Sequence, residues 1–182
     1  SVTVSGGTGA YTYVWKRGDS TNLNNDNDTA FNLTAGFYTC TTKDANNCTR
    51  KDTVTVTEPT ALLATKNFAA TKCNGGTDGK ASVTVSGGTG AYTYVWKRGD
   101  TTNLNNDNDT AFNLTAGFYT CTTKDANNCT RKDTVTVTEP SALSASKGSA
   151  QPNCKGGSDG KASVTVSGGT GAYTYVWKRG DT

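Results

Sequence analysis

The sequence predicts an all-β protein of tandem antiparallel β-sandwich domains in an extended array. Three observations carry that expectation. Ser1–Pro59 recurs as Ser82–Pro140 with one change, Ser20 against Thr101, and the copy begins again at Ser163 and runs to Thr182. The resulting period, 81 residues from Ser1 to Ser82, exceeds the ~20–50 residues of solenoid repeats, so each copy can close its own core. Within a copy, apolar residues fall in short alternating runs separated by Gly, Asn, Asp, Thr and Pro, the period of half-buried strands.

The elements follow in order along the complete copy. Leu62 to Thr71 supplies a first strand, and Val83 and Val85 alternate with Ser and Thr in a second. Gly87-Gly88-Thr89-Gly90 then turns the chain. Tyr92, Tyr94 and Trp96 share one face of a third strand, ended by Lys97-Arg98-Gly99-Asp100. Thr101 to Asp109 has Leu104 as its one apolar residue and reads as a loop or an edge. Phe112 and Leu114 restart the alternation; Tyr119, Cys121 and Thr123 line the next strand. After the turn Asp125-Ala126-Asn127-Asn128, Val135 and Val137 mark the last strand, closed by Glu139-Pro140 because proline is poorly tolerated in a ladder. The expected core is Val83, Val85, Tyr94, Trp96, Phe112, Tyr119, Val135 and Val137.

Seven or so short strands with turns about every ten residues suit a sandwich, and two details favour an immunoglobulin-like one, of the PKD or fibronectin-III kind. Tyr119 stands two residues before Cys121 at the start of a late strand, the spacing of a tyrosine corner, and Trp96 sits on the third strand. Val83 and Val85 occupy the strand where the usual inter-sheet disulfide would have its other cysteine, so that bridge is not expected. The expected domains are 1–59, N-terminally truncated; 60–140, complete; and 141–182, C-terminally truncated, a window onto a longer polymer of repeats. Residues 61–81 and 142–162 differ at nine positions, among them Leu63/Ser144, Phe68/Ser149 and Thr71/Pro152. The array therefore reads as a recent duplication with a more variable first strand.

Composition narrows the function. A net charge of +3 with no basic stripe argues against nucleic acid. The absence of His removes the commonest general base and metal ligand. With identical sites repeated and no matched carboxylate pair, no enzyme is expected.

Each repeat contributes three cysteines, Cys73, Cys121 and Cys129 in the complete one, as in an exported chain where disulfides persist. Cys73 with Cys129 would close about 57 residues, contributing about 4 kcal/mol; Cys121 with Cys129 would close about nine, contributing roughly 2.6 kcal/mol. Cys121 also suits a small buried apolar position. In a strict sandwich the Cys73 and Cys129 loops lie at opposite ends, which leaves open a link from Cys73 to the next domain's counterpart of Cys129.

Other motifs read two ways. Arg98-Gly99-Asp100, repeated from Arg17 and Arg179, is the tripeptide that integrins read on exposed loops and is also ordinary turn chemistry. Asn105, Asp107 and Asp109 alternate like oxygen ligands for calcium but lack the Gly and distal Glu of a calcium loop. No cofactor is expected, calcium being the one metal the pattern admits. Asn-x-Ser/Thr sequons stand at Asn108, Asn113 and Asn128. Asp-Thr-Ala and Asp-Thr-Val at Thr29, Thr110, Thr53 and Thr134 match an O-glycosylation acceptor pattern of exported Bacteroidetes proteins.

The run from Cys73 through Gly75-Gly76-Thr77-Asp78-Gly79 and Gly87-Gly88-Thr89-Gly90 to Tyr92, Tyr94 and Trp96 resembles the SprB repeat, as does Leu114 to Cys129. The resemblance covers almost the whole of each copy. It implies a very large cell-surface adhesin of gliding Bacteroidetes, attached to the outer membrane, exported by the type 9 secretion machinery and propelled during gliding. The repeats would then form an extended fibre whose partners are neighbouring repeats, an external surface or polysaccharide, and the gliding machinery through other regions. The alternative is that each repeat binds a glycan or receptor weakly through Lys97 to Asp109, acting by multivalency.

Overall fold

A computed structural model describes residues 1–180, and they form two compact units, Ser1–Thr60 and Ala61 onward. The first unit carries β1 (Thr12–Arg17), β2 (Thr21–Asn22), β3 (Gly36–Lys43) and β4 (Thr49–Val56), in the antiparallel order β2-β1-β3-β4. Trp15, Tyr38 and Cys40 form its buried centre, with Val2, Tyr13, Leu23, Leu33 and Val56 against them.

The second unit contains one closed sandwich. β5 (Leu63–Ala69), β6 (Gly79–Ser86) and β9 (Thr110–Leu114) make a three-stranded sheet ordered β5-β6-β9. Facing it, β7 (Thr93–Arg98), β8 (Thr102–Asn103), β10 (Gly117–Lys124) and β11 (Thr130–Val137) are ordered β11-β10-β7-β8. The strands alternate because β-branched Val and Thr and the aromatic residues fit a pleated surface buried on one side. Trp96, Tyr119, Cys121, Val135 and Val137 from one sheet meet Ala81, Val83, Ala111 and Leu114 from the other. Val85, Tyr94 and Leu104 pack at the margin of that core. The fold is all-β and immunoglobulin-like. The tyrosine corner is present, with the Tyr119 hydroxyl donating to the Thr115 carbonyl at 2.9 Å.

Phe112 departs from the expected core. It is 52% exposed, while Ala111 and Leu114 are buried. Strict alternation would put Phe112 and Leu114 on one face, but Asn113 adopts φ 57° and breaks the pleat. The register shifts at the same place, from Ala81↔Ala111 to Gly79↔Leu114. This bulge turns Leu114 inward and leaves Phe112 outside under the Lys80 ammonium, 5.3 Å from the ring centre.

The open edge between β5 and β11 is tied at both ends. The Arg131 guanidinium donates to the Leu62 carbonyl at 3.1 Å, and the Thr71 N–H donates to the Thr138 carbonyl at 3.0 Å. Arg131 also grips Asp133 through two bonds of 2.9 and 3.1 Å. The same pair in the first unit, Arg50 and Asp52, is far more exposed, 78% and 31% against 35% and 6% for the side chains. Identical residues thus change environment according to whether a β5 strand lies over them.

β12 (Ser144–Ala150) and β13 (Lys161–Ser167) repeat the β5–β6 hairpin in the third copy.

Two substitutions test the packing. A Cβ at Gly79 would fall 2.7 Å from both the Leu114 carbonyl oxygen and Val137 Cγ1. Gly79→Ala is expected to destabilise the complete repeat by about 1–3 kcal/mol in urea unfolding. Tyr119→Phe is expected to remove about 1 kcal/mol by the same measurement, without altering the far-ultraviolet spectrum.

Candidate functional site

The chemistry-bearing residues of the complete repeat gather at its two loop ends. At the end where the chain enters, the Asp125 carboxylate closes the β10–β11 turn. It accepts the N–H groups of Thr89 at 3.0 Å, Asn127 at 3.0 Å and Cys129 at 2.8 Å. The Ala126 N–H donates to the Thr89 carbonyl and the Asn127 amide to the Thr89 hydroxyl, so the Gly87–Gly90 loop and this turn form one cap. Asn128 tolerates the φ of 66° the turn requires. Gly88 stands at φ +67° with a Cβ position 2.7 Å from Asp125 Oδ2 and 2.8 Å from Leu62 Cδ2, so the cap also grips the incoming chain. Burial alone would raise the Asp125 carboxyl, but the N–H groups of Thr89, Cys129 and Asn127 outweigh it and hold it below 3.8.

The opposite end carries Arg98-Gly99-Asp100 and the loop around Cys73. Gly99 has φ +58°; its N–H donates to the Phe118 carbonyl at 2.8 Å, and its carbonyl accepts the Thr120 hydroxyl at 2.7 Å. Arg98 donates to the Ala116 carbonyl at 3.4 Å, and Asp100 pairs with Lys132 at 2.6 Å. The Lys132 hydrogen bond and charge hold the Asp100 carboxyl below its ordinary value. The first unit repeats the arrangement, Arg17 on Ala35, Gly18 on Phe37 and Lys51 on Asp19. Asp181 of the third tripeptide lies outside the described residues. Arg98 and Asp100 are exposed and Gly99 is half-buried, and each is tied to its own domain.

The stretch Asn103 to Asp109 is exposed except for Leu104 and Asn106. Its side chains build turns: Asn103 Oδ1 accepts the Asn105 N–H, and Asn106 Oδ1 accepts the Asn108 N–H. Asp109 accepts the Thr110 hydroxyl. The Asn108 carbonyl takes the Trp96 indole N–H at 2.9 Å, so the polar loop is the lid of the core. Asn105, Asp107 and Asp109 are all exposed, and among the described residues no group of three or more His, Cys, Asp or Glu is placed to hold a metal ion. Thr53 and Thr134 are exposed on the outer face of β4 and β11; Thr29 and Thr110 are half-buried.

The structure sets the candidate bridge cysteines apart. Cys73 and Cys129 are both exposed and free. Cys129 precedes β11 and Cys73 sits by its far end, where Gly75 N–H meets Glu139. Eight strand residues at ~3.3 Å each separate them by roughly 25 Å, whereas a disulfide needs Cα atoms within about 7 Å. Cys121 is fully buried in the core that Val83 shares, with Thr123 Oγ1 4.0 Å from its sulfur. Burial pushes its thiol up to about 11.

The straps at the exit end were not legible beforehand. Glu139, read as a strand terminator, accepts the Gly75 N–H at 2.6 Å, and Asn74 donates to the Pro140 carbonyl at 3.1 Å. Nothing local marks these pairs, because their members stand more than sixty positions apart. A groove beside Lys72, Cys73 and Asn74 is lined by Leu143, Val164, Val166, Tyr173 and Trp177. Trp177 is 61% exposed there, whereas its counterpart Trp96 is fully buried, so the groove is an uncovered core face.

The family model described as the SprB repeat matches residues 1–20, 71–101 and 147–182, three segments that stop at the same repeat position. No curated protein matches the chain significantly. Among solved structures, the three N-terminal domains of the highly immunogenic outer capsid protein Hoc of bacteriophage RB49 align at TM-score 0.52 and 15% identity. That alignment covers 93% of this chain and 63% of that one, a likeness of fold alone. A Dscam structure aligns at TM-score 0.37 and 13% identity over 71% of this chain and 38% of that one. An amphioxus IgVJ-C2 molecule aligns at TM-score 0.36 and 14% identity over 75% and 92%.

Two measurements check the cap and the core thiol. The depressed Asp125 carboxyl contributes stability that is complete above the unfolded value near 3.8 and is lost as pH falls through the lower folded value. The thermal midpoint should be insensitive to this group between pH 5 and 8 and fall below about pH 4. Asp125→Asn should lower the midpoint at pH 7 and shrink the acid drop. With a pKa of about 11, roughly one Cys121 in a thousand is thiolate at pH 8. Alkylation of the native chain should therefore label Cys73 and Cys129 and spare Cys121, as peptide mass spectrometry will read.

Proposed function

We propose, from the SprB-repeat matches over three segments, that this is the repeat region of a cell-surface adhesin, in which domain 60–140 and its flanking copies are serial beads of a load-bearing fibre. The observation that carries this reading is the placement of the chain's way in and way out. Leu62 lies in the cap with Gly88 and Arg131, and Pro140 lies under Asn74 at the far end of β11. Tension applied through the two neighbours then runs along β5 and β11. Seven register pairs join β5 to β6, and eight join β11 to β10. Pulled lengthwise, such ladders are sheared as sets of bonds and not unzipped one at a time. Attachment to the bacterial outer surface, export by the type 9 machinery and a role in gliding are part of the proposal and rest on the family. Its partners would be neighbouring repeats and an external surface or polysaccharide.

The rival reading gives Lys97 to Asp109 a weak recognition role. The turn-building use of Asn103 and Asn106, the indole bond to Asn108 and the Asp100–Lys132 pair support a structural part for this stretch instead. The proposal does not include catalysis: the repeats offer no His, Asp125 closes a turn, and Asp133 and Asp100 pair with Arg131 and Lys132.

Single-molecule stretching of the natural chain tests the reading. It should give a regular series of unfolding peaks, each releasing on the order of 250 Å of chain per repeat. Featureless extension at low force would contradict it.

A further inference from the structure

We propose that Asn74–Gly75 is a self-modifying site. The Gly75 nitrogen attacks the Asn74 side-chain amide with Glu139 as the base, converting Asn74 to an aspartyl or isoaspartyl residue in the folded chain. The conversion releases one of the straps on the chain's way out.

Asn-Gly occurs once in the sequence, at Asn74-Gly75. Ring closure on an asparagine needs the next backbone nitrogen to reach the side-chain carbon, and a following side chain obstructs that approach. Gly75 has no side chain, and even a Cβ there would meet nothing within 4 Å. Its φ of +71° lies near the value that a type II turn demands, which glycine adopts without steric cost. The Gly76 N–H closes the turn on the Cys73 carbonyl at 3.0 Å. Asn74 and Gly75 are both exposed, so water reaches the pair.

Two contacts hold the groups that react. The nucleophile is the Gly75 nitrogen once its proton is withdrawn, and its N–H already donates to Glu139 Oε2 at 2.6 Å. That is the distance from which a general base takes a proton. The Asn74 amide nitrogen, the leaving group, donates to the Pro140 carbonyl at 3.1 Å. Base and anchor are thus consecutive residues, brought to the turn by the end of β11. The third copy has Lys155 where Asn74 stands, so its loop lacks the reacting amide.

The Gly75 proton passes to Glu139 as the nitrogen bonds to Asn74 Cγ. The Cγ–Nδ2 bond then breaks, and Nδ2 leaves as ammonia, taking that proton back from Glu139. The product is a succinimide ring, which water opens at either carbonyl. Cleavage between Cγ and the Gly75 nitrogen leaves aspartate in the ordinary backbone. Cleavage at the main-chain carbonyl leaves isoaspartate, with the backbone running through Cβ. No electrons are gained or lost. Either product lacks the amide donor to Pro140 and carries a carboxylate near Glu139, so the strap loses a hydrogen bond and gains a like charge.

The test ages the 182-residue chain in neutral buffer, folded and in urea, and follows every asparagine by peptide mass spectrometry. Asn74 should convert first, and faster in the folded chain than in the unfolded one. Glu139→Gln keeps an oxygen acceptor for the Gly75 N–H but cannot take the proton. With folding confirmed by indole fluorescence, it should slow conversion of Asn74 about tenfold or more. Its rate should also climb more steeply with pH, because hydroxide must then replace the carboxylate. In the converted chain, amide hydrogen exchange at Gly75 should be faster. The proposal is overturned if folding slows the conversion, if Glu139→Gln leaves the rate unchanged or raises it, or if exchange at Gly75 does not quicken.

Discussion

The structure depends on closing polar and apolar partners around one indole. Trp96 is fully buried, its ring against the inner faces of both sheets and its N–H on the Asn108 carbonyl. It pairs in register with Cys121 on β10, a small side chain buried beside it. Three tryptophans share the same local sequence and differ in outcome. Trp15 is 1% exposed beneath β3 and the Asn27 lid, whereas Trp177 is 61% exposed with no such strand beside it. The same local pattern is a strand at Thr12–Arg17 and Thr93–Arg98 but not around Trp177, so the late strand and the polar lid make both the strand and the core.

Much of this was visible in the amino acids. Period-2 runs locate strands wherever both neighbours keep the pleat, as in Val83 and Val85 or Val135 and Val137. The Tyr119–Cys121 spacing identified the corner because that motif is local. Phe112 failed because alternation assumes unbroken pleating, and Asn113 at positive φ inserts a bulge that swaps inside for outside. Cys73 and Cys129 stand by opposite ends of β11, a separation that distance along the sequence does not report. The exit straps of Glu139 and Asn74 are long-range pairs between loops, and their residue types are common enough to carry no signal of their own.

The two ends of the repeat are chemically unlike, and this gives the array its direction. One end is a cap built on a single carboxylate, Asp125, whose acceptors are filled by backbone donors. The other is a glycine-rich loop that holds the outgoing chain and offers Cys73. Between them the broad faces are threonine-rich and sparsely apolar, with Phe112 and Phe118 the largest exposed side chains on β9 and β10. Variation between copies concentrates in the β5 and β12 hairpins and the Cys73 loop, where Phe68 faces Ser149 and Asn74 faces Lys155 in the alignment of repeats. The joints are thus where one copy is distinguished from another, while the bodies are nearly constant.

Scattering in solution on chains of two, four and six complete repeats tests the central claim most directly. If each repeat is a bead entered at one end and left at the other, the maximum dimension grows linearly, by on the order of 40 Å per repeat. Growth that levels off with repeat number, as for beads folded back into a globule, would contradict it.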